Sequence, residues 1–111
     1  MAKKSKNELL QGTLDMLVMK ALADEPLHGY ALGHRLQLIT GGRLQVPQGS
    51  LYPALHRLEL RGYLKSEWVE TDTGRAAKVY RLTVKGQRQL EAEVLQWHEL
   101  ASTIAMVLGT T

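Results

Sequence analysis

The sequence contains no cysteine, which removes disulfide staples, thiol nucleophiles and Cys-based zinc or iron–sulfur sites at once. It has no apolar run near the ~20 residues of a membrane span, and no signal-peptide core follows its Lys-rich start. The expectation is a soluble, cytoplasmic protein with no membrane partner. Signatures of catalysis are missing as well. Gly49-Ser50-Leu51 lacks the G-x-S-x-G elbow of a strained nucleophile, and no pair of carboxylates sits in a suggestive motif. The four His are scattered, with no HExxH and no pair at i, i+4, so no metal is expected. The glycines form no phosphate loop, and neither a repeat nor a low-complexity stretch interrupts the chain. No enzyme and no cofactor is expected.

What remains is a chain of 111 residues, enough for one domain with a real core. Its net charge of +3 is mild, but its distribution is uneven. Residues 1–7 hold three Lys and no acid, and residues 8–42 hold two basic and four acidic side chains. Residues 43–88 hold nine basic against four acidic, and the rest holds three Glu and no base. This is either surface scatter or a basic middle that meets a polyanion beside a tail that meets something else.

Breakers divide the chain cleanly. Asn7 can cap a first helix with Leu10, Leu14, Leu17, Val18, Ala21 and Leu22 at helical spacing, ended by Asp24-Glu25-Pro26. His28 can cap a second helix to about Ile39, with Leu27 and Leu32 placed for a hydrophobic staple. Thr40-Gly41-Gly42 closes it, and Leu44-Gln45-Val46 is long enough only for a short strand. A third helix is expected from about Gly49 to Arg61, with Leu51, Ala54, Leu55 and Leu58 facing the core and Gly62 in the left-handed cap position. Pro53 is expected in or next to its first turn. Its outer face carries Tyr52, His56 and Arg57, with Gln48 just before it. Arg57 lies opposite the apolar stripe, so it is expected to reach a partner without supporting the core.

Two strands follow, Leu64 to Glu70 and Ala77 to Thr83, joined by the turn Thr71-Asp72-Thr73-Gly74. Leu64 and Trp68 share one face of the first, and Tyr80 and Leu82 share one face of the second. Thr83 can cap a last long helix to about Leu108. There Leu90, Val94, Trp97, Ala101, Ile104 and Leu108 form a heptad seam. Such a stripe on an isolated helix would face water, so a twofold pairing is expected, in part against the partner's first helix at Leu10 and Leu14.

The fold class expected is mainly α with a small β-hairpin: a winged helix-turn-helix plus a long C-terminal dimerisation helix. Residues 1–7 are expected to be a flexible basic arm, 8–83 the winged-helix region and 84–108 the dimerisation helix. The order suits DNA, because a helix with a polar, basic outer face can enter the major groove while a basic hairpin tracks the backbone.

Three stretches carry a resemblance. Leu9-Leu10-Gln11-Gly12-Thr13-Leu14-Asp15, Pro26-Leu27-His28-Gly29-Tyr30 and Gly49-Ser50-Leu51-Tyr52-Pro53-Ala54-Leu55-His56-Arg57-Leu58-Glu59 closely resemble the PadR family of bacterial transcriptional regulators. Residues 75 to 83, ending Tyr80-Arg81-Leu82-Thr83, look like that family's wing. The resemblance implies a homodimeric repressor whose third helix reads the major groove and whose C-terminal helix makes the dimer. It matches the compact branch, some of whose members are encoded beside transport permeases. The expected DNA contacts are Tyr30, Gln48, Ser50, Tyr52, His56 and Arg57, with Arg75 and Lys78 in the wing.

Each has a plainer reading. Ser50 can simply start the helix, His56 can be merely solvated, and Tyr30 can pack against the third helix. Ala76 and Ala77 make this wing less basic than is usual in the family. In some compact relatives a C-terminal-helix Trp stacks with flat aromatic ligands, and Trp97 resembles it in position, against the plainer reading of a packing residue. The resulting expectation is a homodimeric repressor on an inverted-repeat operator in double-stranded DNA, with a small aromatic effector as a candidate partner. The rival is a winged-helix protein-interaction module without sequence-specific DNA binding.

Overall fold

A computed structural model describes the backbone of residues 2–110 and the side chains of residues 12–110. The elements are α1 (Ala2–Asp24), β1 (Leu27–His28), α2 (Gly29–Ile39), α3 (Gln48–Leu60), β2 (Leu64–Glu70), β3 (Ala76–Leu82) and α4 (Val84–Leu108). The three antiparallel strands lie in the order β1-β3-β2. The fold is the winged helix-turn-helix with a long terminal helix.

The first helix is the spine of the core. Leu14, Met16, Val18, Met19, Ala21 and Leu22 are all buried, which covers more than half of the circumference rather than one narrow stripe. The reason is its company: α2, α3, α4 and β3 all pack against α1, so its apolar face is wide, while Thr13, Lys20 and Asp24 share the side left to water. It begins at Ala2, ahead of the expected cap at Asn7, so the helix takes in the stretch read as an arm. Ala2 and the three Lys in that stretch are good helix formers, and neither Gly nor Pro interrupts it. The side chain of Leu10 lies outside the described residues.

His28 caps α2 as expected, its Nδ1 accepting from the Ala31 amide at 3.3 Å. The expected strand at Leu44–Val46 is absent. Leu44 and Val46 pack their side chains against the core from a loop, and the free edge of β3 is filled instead by Leu27↔Tyr80 and His28↔Val79. Two residues are too few to show any periodicity, so this strand exists only because β3 lies beside it.

The third helix buries Leu51, Ala54, Leu55 and Leu58, the expected face. It ends in a Schellman motif: the Gly62 amide donates to the Glu59 carbonyl and that of Tyr63 to the Leu58 carbonyl, both at 3.0 Å, with Gly62 at φ 81°. Pro53 lies in the second turn, deeper than expected, because the helix opens at Gln48. The carbonyl of Gly49 thereby loses its usual partner, which is tolerable where both residues face water.

The hairpin pairs Leu64↔Leu82 through Glu70↔Ala76 and turns at Gly74, φ 81°. Leu64 is buried, but Trp68 on the same face is 69% exposed, because β2 outruns the core. Thr83 caps α4, its Oγ accepting from the Gly86 amide at 3.0 Å. Leu90 is buried and Val94 packs against the core, both inside the chain's own fold. Beyond Val94 the apolar side chains are uncovered: Leu95, Trp97, Leu100, Ile104, Val107 and Leu108 are all exposed.

Candidate nucleic-acid interface

The sequence puts a Gly where α2 begins because α3 arrives there. A Cβ on Gly29 would lie 2.6 Å from the Tyr52 ring, so only Gly lets the two helices of the helix-turn-helix close to this separation. Tyr52 is therefore half structural. Its ring packs on α2 while 43% of the residue stays exposed.

The solvent face of α3 begins with Gln48, Gly49 and Ser50, all exposed. Ser50 does not cap the helix, since the cap position is held by Pro47. Its amide donates to the Pro47 carbonyl at 2.9 Å. His56 is exposed one turn beyond Tyr52. Tyr30, at the head of α2, is 70% exposed, which disfavours packing against α3. With His34, Gln37 and Gln48 it lines a groove of about 440 Å³ between α2 and the start of α3. His34 and Gln37 were missed from the sequence, although they stand four and seven positions after Tyr30 and so share its helical face.

Two expected cations are not free. Arg57 Nη2 donates to Asp15 Oδ1 of α1 at 2.8 Å, and both side chains are largely buried, at 28% and 12% exposure. Arg57 thus ties α3 to the spine, contrary to the expectation that it supports nothing. Arg57 lies on the flank of the buried stripe rather than opposite it, on the side that meets α1, where the buried Asp15 needs a cation. In the wing, Lys78 Nζ lies 3.8 Å from Glu59 Oε1 and 5.6 Å from the centre of the Tyr80 ring. Arg75, just after the turn, is exposed, and among the described residues it joins no ion pair.

Leu14 and Leu90, expected at a dimer contact, are buried in this chain's own core and have little surface left for a partner. Trp97 is 48% exposed, Ala101 half-buried and Ile104 and Leu108 exposed. A second, largely apolar cleft of about 320 Å³ lies between α1 and α3, with Leu14, Leu17, Val46, Pro53 and Arg57 in its walls. It does not involve Trp97. Among the described residues no group of His, Asp or Glu could hold a metal, and no helix is long and apolar enough to cross a membrane.

The model of the transcriptional regulator PadR-like family matches residues 18–92, which takes in α2, α3, the wing and the first turns of α4. The chain belongs to the PadR-like family. This PadR-family chain is 35% identical over 97 residues to the transcriptional regulator Rv3488 of Mycobacterium tuberculosis, covering 87% of each sequence. A PadR-family regulator from Eggerthella lenta superposes with a TM-score of 0.80 at 36% identity, over 99% of this chain and 94% of that one. A PadR-like transcription factor from Bacteroides fragilis gives 0.78 at 34% identity, over 94% and 98%. A PadR-family protein is a DNA-binding transcriptional regulator.

Proposed function

We propose that this PadR-family regulator is a homodimeric repressor that occupies a promoter at an inverted-repeat operator in the cytoplasm. The observation that carries the reading is the bare apolar face of α4 beyond Val94. A water-facing stripe of this length is unfavourable, and twofold pairing through Trp97, Ala101, Ile104 and Leu108 removes it. A twofold dimer presents its two α3 helices about 34 Å apart, one turn of DNA, and so matches a palindromic site. Base edges are then read by Gln48, Ser50, Tyr52 and His56. Tyr30 at the groove between α2 and α3 and Arg75 on the wing meet phosphates. Arg57 acts chiefly by holding α3 in place.

Trp97, half exposed on that seam, would stack a planar aromatic effector against its symmetry mate. Such a ligand would shift the spacing of the α3 helices.

Selection of bound sites from random duplex DNA tests the reading, and an inverted repeat should emerge. Binding at low salt without any preferred sequence would assign the chain to the interaction-module class instead. Quenching of Trp fluorescence by planar aromatic compounds, lost in Trp97→Leu, checks the effector site.

A further inference from the structure

Glu59 stands seven positions after Tyr52 and three after His56, on the same stripe of α3. A carboxylate there is unfavourable for meeting a polyanion, and the structure shows what it does instead. Ser66 Oγ of β2 donates to Glu59 Oε2, while Lys78 Nζ of β3 lies 3.8 Å from Glu59 Oε1. Ser66 pairs with Tyr80 and Lys78 with Trp68, so Ser66 and Lys78 sit on one face of the hairpin. One carboxylate therefore fastens both strands of the wing to α3.

We propose that Glu59 withholds Lys78 from the DNA backbone while it sets the angle of the wing against the recognition helix, which makes it a positioning residue. This rests on the reading that the wing lies along DNA phosphates. The Ser66 hydrogen bond alone would dock the wing; the charge of Glu59 adds the hold on Lys78. The Tyr80 ring, with the ammonium 5.6 Å from its centre, helps to retain it. The side chains of Lys78 and Glu59 are 39% and 33% exposed, so their attraction is that of a screened surface pair, and removing either partner leaves the fold intact. The consequence is selectivity. Phosphate contacts strengthen binding to every sequence alike, so a cation held back lowers non-specific affinity while the base contacts of α3 are untouched.

The test is the salt dependence of binding to a random-sequence duplex of about 30 base pairs, followed by fluorescence anisotropy. Glu59→Gln keeps an acceptor for Ser66 but drops the charge. Its slope of log affinity against log salt should steepen by up to about 1.8, for two released Lys78 per dimer. Lys78→Ala alone should match the parent, and the double variant should return to the parent slope. Ser66→Ala, which keeps the charge, should also retain the parent slope, and Lys78→Ala tests the same idea if Glu59→Gln folds poorly.

Three results would overturn the proposal: a parent-like slope in Glu59→Gln, a flatter slope in Lys78→Ala alone, or a gain that survives in the double variant. Arg75→Ala separates the two readings. If it leaves the slope unchanged, the wing stands clear of DNA and the underlying reading fails; if it flattens the slope, any failure belongs to Glu59.

Discussion

The guanidinium of Arg57 stands 2.8 Å from the carboxylate of Asp15, joining α3 to α1 across 42 positions of the chain. Asp15 is 8% exposed, and a buried carboxylate without its partner is costly. Arg57→Ala should therefore lower stability by about 1–3 kcal/mol, read as a fall in the urea midpoint with an unchanged m-value. Asp15→Asn should remove much of that loss, because a neutral amide does not demand the cation. A parent-like midpoint in Arg57→Ala would free the side chain for a base-reading role.

Gly29→Ala should disturb the helix-turn-helix directly. The added methyl meets the Tyr52 ring at 2.6 Å, so the ring or the helix must move, at a cost of about 1–3 kcal/mol. Pairing the change with Tyr52→Ala should recover part of the stability but not the DNA affinity. Thermal melts and binding isotherms of the single and double variants check both expectations.

In the wing, Arg75 is an exposed cation beside the turn that joins no ion pair among the described residues. Arg75→Ala should flatten the salt slope of DNA binding by about 2 units, for two side chains per dimer. Adding Lys78→Ala should flatten it little further while Glu59 holds that lysine. A drop of about 4 units in the double variant would mean that all four cations touch phosphate.

The α4 face should determine assembly without determining the fold. Leu90 and Val94 belong to the core of the chain, so truncation ahead of Leu90 should unfold it. Ile104→Glu with Leu108→Glu changes only exposed positions. The double variant should sediment as a folded monomer with native circular dichroism and lose its operator affinity. A dimer of unchanged stability would locate the pairing elsewhere.

Much of this molecule follows from short-range pattern. The apolar positions of α3, the caps at His28 and Thr83, the left-handed Gly62 and the Thr71–Gly74 turn each depend on residues a few positions apart, and all are found as the pattern predicts. So are the exposed Tyr52 and His56 on the outer face of α3. What the pattern misjudges are the places where a distant element intervenes. Arg57 looks free on a helical wheel, and Asp15 captures it. Lys78 looks unpaired on the strand, and Glu59 of α3 lies 3.8 Å from it. Leu90 opens a heptad seam that then divides, with Leu90 buried and Val94 packed against the chain's own core, and Trp97, Ile104 and Leu108 left exposed.

By itself, then, the sequence determined the elements, their caps and the polar face of the recognition helix, because periodicity and turn chemistry act within a turn or two of chain. Only the tertiary structure decided which charges are available to a partner and where the core stops. A side chain's charge is available or captured according to neighbours brought close by folding, and burial depends on how far each element extends past the layer that covers it. Neither quantity is local, so neither is written in the spacing of residues.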